Sequence, residues 1–92
     1  MNDKKTAARL NSIGKAAFIN YFHVLSDNKI TDQQKINVLM KQYDYDGAAM
    51  RVSFYNQISK ANQIREALKI IENAKRVDKS IRKRASDLIR NF

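Results

Sequence analysis

Asp44, Asp46 and Gly47 stand close enough together to raise the question of a calcium loop. Such a loop needs carboxylates at its first, third and fifth places, glycine at the sixth and a bidentate glutamate at the twelfth. With Gly47 as the sixth, Gln42 falls first and Ser53 twelfth, so the two outer places carry no carboxylate. The segment from Tyr43 to Gly47 predicts instead a turn, with Asp46 capping the helix that follows. His23 is the only histidine, set between Phe22 and Val24. A general base needs an orienting acid and a proton source within reach, and the sequence nominates neither, so His23 is expected at the edge of a core. Glu66 and Glu72 face different directions on one predicted helix, beside cations that hold them ionised. Gly14 and Gly47 are too far apart for a loop that cradles phosphates, and the absence of cysteine removes thiolate metal sites, disulfides and a sulfur nucleophile. The expectation is a chain that is not an enzyme and holds no metal or cofactor.

Charge is what remains. The 92 residues carry 18 Lys plus Arg against 9 Asp plus Glu, a net charge of +9 on a chain that is 43% apolar. That is a globular composition with a strong attraction to polyanions. Residues 60–92 hold ten cations and four acids, whereas residues 1–59 hold eight and five. On the last predicted helix Ile81, Ala85, Leu88 and Ile89 define an inner side at about 100° per residue. Lys79, Arg82, Lys83, Ser86 and Arg90 then fall on the outer side, and Lys69, Lys75 and Arg76 extend the field from the preceding helix. The seven cations of this set are the expected contacts to nucleic-acid phosphates.

These residues must be positioned by helices, because no strand-like alternation occurs and proline is absent. A single domain over 1–92 is expected, with 1–9 either a frayed first helical turn or a flexible basic arm. Leu10, Ile13, Ala17, Tyr21 and Val24, flanked by Phe18, Phe22 and Leu25, form the first apolar stripe; Gly14 interrupts it and can delay the helix start. Thr31 followed by Gln34 has the form of a capping box and opens a helix over about 32–42. A third helix over 47–61 is expected to face Met50, Phe54, Ile58 and Ala61 inward and to stop at Asn62, which tolerates a left-handed backbone. The alternative is one unbroken helix over 47–75. A fourth segment carries Ile64, Ala67, Leu68, Ile71 and Ala74, and Asp78 is the expected cap of a fifth, paired with Arg82.

The fold class expected is all-α, a compact bundle of four to five short helices. Residues 32–60 have the connectivity of a helix-turn-helix, although Tyr43 and Ser53 depart from its usual small and aliphatic places, which makes any such unit divergent. On that reading Arg51, Val52, Ser53, Tyr55, Asn56 and Lys60 are the candidate groove or partner contacts. A small cytoplasmic DNA-binding accessory protein of bacterial, phage or plasmid type is the expected function, the source suggested by the AT-rich codons of Lys, Asn and Ile. The alternative is a helical adaptor or inhibitor acting on a protein partner. In size, charge and predicted helicity the chain resembles bacteriocin immunity proteins, which implies a partner of that kind. A homodimer is compatible with either reading, and no apolar run is long enough for a membrane span.

Overall fold

Gly14 decides how the first third of the chain folds. The computed structural model describes residues 3–91. In it Gly14 adopts φ +93° and ψ 128°, a backbone state open to glycine and strained for any residue with a Cβ. The first apolar stripe is thereby cut into α1 (Asp3–Ile13) and α2 (Lys15–Asn20), and a second bend at Tyr21 separates α3 (Phe22–Leu25). Of the segment 1–9, residues 1 and 2 lie outside the described residues; from Asp3 the chain is helical, with Thr6 and Leu10 fully buried.

Four longer helices complete the chain: α4 (Asp32–Leu39), α5 (Tyr45–Lys60), α6 (Ile64–Glu72) and α7 (Lys79–Ile89). The all-α bundle stands, with seven helices among the described residues where four to five were expected. The cuts at Gly14 and Tyr21 account for the extra ones. The capping box forms as read, with Thr31 Oγ1 accepting the Gln34 amide at 3.1 Å and Gln34 Oε1 accepting the Thr31 amide at 2.8 Å. α4 stops at Leu39, short of 42, and Met40 turns out to solvent at 45% exposure.

α5 starts earlier than expected, because Asp44 is its cap, accepting the Gly47 amide at 2.7 Å. Asp46 sits inside the first turn, where its charge suits the helix dipole. The far end follows the predicted break: Asn62 is left-handed at φ +59°, the Gln63 amide reaches back to the Ile58 carbonyl at 3.0 Å, and the Asn62 amide to that of Ser59 at 2.9 Å. This is the double bond pattern of a Schellman end, so residues 47–75 form two helices.

One apolar core joins all seven helices. α5 lies across it, packed against α1, α4 and α6. Phe18, Phe22 and Tyr55 meet at its centre with ring centroids 5.6 to 6.3 Å apart.

Candidate nucleic-acid interface

α6 and α7 form a helical hairpin joined by residues 73–78. Ala67, Leu68 and Ile71 from one helix and Ile81 and Ala85 from the other are buried, as their spacing predicted. α6 rests on α1 and α5, α7 rests on α2, and the two lie along each other. Their outer sides therefore turn away from the core. Lys69, Lys75, Arg76, Lys79 and Lys83 are all exposed there. Among the described residues, none of these five side chains is engaged in a hydrogen bond or ion pair. Connectivity groups them at the loop end of the hairpin: Lys75 and Arg76 are in the loop, Lys79 opens α7, and Lys83 follows one turn later at about 6 Å along the axis. From 69 to 83 the chain carries six cations and two acids.

Two members of the expected outer side do not belong to it. The Ser86 hydroxyl donates to Glu72 Oε2 at 2.6 Å, with the Arg82 carbonyl a longer second acceptor at 3.2 Å. Arg82 is half-buried in the same seam, and its Nε is enclosed without a partner among the described residues. A helix with a neighbour along its flank buries more than one stripe, and Arg82 and Ser86 lie on the flank that α6 covers. Asp78 occupies the cap position of α7 without making the side-chain bond, and its expected pair with Arg82 does not form. The ion pair seen on α7 is Asp87 with Arg90, at 4.0 Å and largely in water, where such pairs contribute little.

The outward set assigned to α5 changes more. Val52 and Tyr55 are core residues, 2% and 5% exposed, and cannot be surface contacts. The buried side of α5 runs through Ala48, Val52, Tyr55 and Ile58, turned by roughly 110° from the expected stripe at about 100° per residue. Neighbours on three sides explain this, since Phe54 packs as a half-buried residue at the edge while the centre goes to the side facing Phe18 and Phe22. Burial also pushes the Tyr55 hydroxyl up to about 12 by disfavouring its anion.

Arg51 is likewise a structural group. Its Nε donates to the Ile13 carbonyl at 3.0 Å, its Nη1 donates to Gly47 at 3.0 Å, and the guanidinium lies 3.7 Å over the Tyr43 ring. Asn56 is tied to α4 through Asp32 Oδ2 at 3.1 Å. Only Ser53 and Lys60 of the six named contacts remain fully exposed, lining with Asn56 and Gln57 a groove between α4 and α5. Arg65 was overlooked, although it stands one turn before Lys69 on the same exposed side. Arg84, also overlooked, bonds Asn20 Oδ1 at 2.8 Å and docks α7 on α2. His23 is exposed at the rim of a groove shared with Arg84 and Asp87.

Among the described residues no helix is long and apolar enough to cross a membrane. No protein-family model, curated protein or solved structure matches this chain.

Proposed function

We propose that this chain is a small, non-catalytic nucleic-acid-binding accessory protein, DNA being its favoured partner, acting in the cytoplasm of a bacterium or on behalf of a phage or plasmid. The observation that carries the reading is the group of five exposed cations on the α6–α7 hairpin, which have no acidic partner among the described residues. Lysines and arginines left free in this way gain by displacing counterions from a phosphate backbone.

Gel mobility shift tests the proposal. Wild-type protein is expected to retard a DNA duplex at about 50 mM salt and to lose most of that binding at about 200 mM. A variant with Lys75, Arg76, Lys79 and Lys83 changed to Gln should lose the shift while keeping its thermal midpoint, because these side chains are exposed and make no hydrogen bond or ion pair among the described residues. Absence of a shift at the lower salt refutes the reading.

A protein partner is the second reading, and one observation favours it. Met40 and Tyr45 are 45% and 51% exposed at the two ends of the α4–α5 turn. Changing both to Ser should abolish capture of such a partner and leave the gel shift intact.

A further inference from the structure

We infer that the hairpin surface holds the backbone of duplex nucleic acid without reading its sequence, an inference that rests on the nucleic-acid reading above. Reading a sequence requires an element that can enter a groove with free hydrogen-bonding side chains, or aromatic rings on which bases can stack. The connectivity nominates α5 for the first role, and α5 cannot fill it. Val52, Tyr55 and Ile58 are buried, Arg51 is bound to the Ile13 and Gly47 carbonyls, and Asn56 is bound to Asp32. A recognition helix presents its N-terminal residues to the bases. Here that end carries Asp44 and Asp46, two exposed carboxylates that phosphates repel.

Apart from its cations and the Ser80 hydroxyl, the basic surface offers little with which to read bases. No aromatic residue occurs between Tyr55 and Phe92, so the hairpin offers no stacking platform. Its one amide side chain, Asn73, is turned back on its own helix, donating to the Lys69 carbonyl at 3.0 Å, and Asn91 just past α7 donates to the Asp87 carbonyl at 3.4 Å. What is left is the Ser80 hydroxyl and the free cations Lys69, Lys75, Arg76, Lys79 and Lys83 beside Arg65, most of them lysines whose ammonium groups act as point charges. A duplex suits such a surface better than a single strand, because it presents phosphate charges at about one per 1.7 Å of axis.

Five contacts give a log-log salt slope of about −4.5 on a duplex, which is about a 500-fold weakening between 50 and 200 mM salt. The test is competition at fixed salt among synthetic duplexes of equal length and unrelated sequence, with the corresponding single strands as a further arm. Dissociation constants of the duplexes should agree within about threefold, against the roughly thousandfold or larger preference of sequence-specific binders. Single strands should bind more weakly. Because a cognate sequence could be missing from the panel, a variant combining Ser53→Ala and Gln57→Ala is measured beside the wild type, and its affinity should be unchanged. A duplex preference of about tenfold or more, a single strand that outcompetes the duplex, or a tenfold loss in that variant overturns the inference and leaves nucleic-acid binding standing. No binding to any probe overturns both.

Discussion

Replacing Gly14 by alanine should destabilise the protein, and the sign of the effect is the informative quantity. Inside a continuous helix the same change would stabilise by about 1 kcal/mol, since glycine is the poorer helix former. Gly14 stands at φ +93°, outside any helix, in a backbone region where a residue with a Cβ is strained by about 1–3 kcal/mol. The new methyl group would meet the Ala17 Cβ at 3.8 Å, an ordinary contact, so the strain comes from the backbone alone. Alanine also restricts the unfolded chain and returns about 0.4–1 kcal/mol of that, leaving a net loss of about 1–2 kcal/mol. For a domain of this size such a loss lowers the thermal midpoint by roughly 4–16 °C. Urea and thermal unfolding followed by far-UV circular dichroism measure it directly. Ala16→Gly is the control, because Ala16 is exposed within α2 and its loss should cost about 1 kcal/mol through propensity. A Gly14→Ala protein with a raised midpoint would mean that α1 and α2 are one helix and would refute the reasoning.

Adjacent positions on α5 should behave oppositely: Val52→Ala is expected to cost about 1.5–3 kcal/mol in urea unfolding, while Ser53→Ala stays within about 0.5 kcal/mol. Equal effects would contradict the burial of Val52. Tyr55 makes stability depend on alkaline pH: its folded value of about 12 against an ordinary 10.0 means that its contribution is whole below pH 10 and is lost as the pH rises toward 12. Tyr55→Phe should remove that segment of the pH profile, about 2–3 kcal/mol at most, and an unchanged slope between wild type and variant would refute the burial argument.

Local chemistry made the ends of the helices readable. Thr31 and Gln34 announce a capping box, and Asn62 announces a left-handed stop; both appear where their side chains and backbone preferences require. The inner faces of α6 and α7 were readable from apolar spacing, whereas their flanks were not. On α5 the stripe of Met50, Phe54 and Ile58 turned Tyr55 outward, but the two rings of Phe18 and Phe22 give it a core site that this stripe did not reveal. The same limit applies to Arg82 and Ser86, which depend on where α6 lies. Charge clustering in the last third was visible in composition, whereas which of those cations are free required the fold.

The first three helices explain where part of the basic charge goes. Cutting one stripe into α1, α2 and α3 creates additional helix C-termini, and each leaves carbonyls without an intrahelical donor. A cation from another helix meets each of these ends. Arg51 Nε donates to Ile13 at 3.0 Å, Arg84 to Ile19 at 3.3 Å and Lys35 Nζ to Leu25 at 2.9 Å. Each also places a positive charge at the negative end of a helix dipole. Lys35 is 6% exposed, so its single bond to a carbonyl is part of the core. With Arg82 enclosed in the α6–α7 seam, four of the 18 Lys and Arg are held by the architecture and are not free for a polyanion. Net charge alone therefore overstates the binding surface. The relevant quantity is the set of cations that no helix end, ring or carboxylate engages, and on the hairpin that set is Lys69, Lys75, Arg76, Lys79 and Lys83, beside the overlooked Arg65.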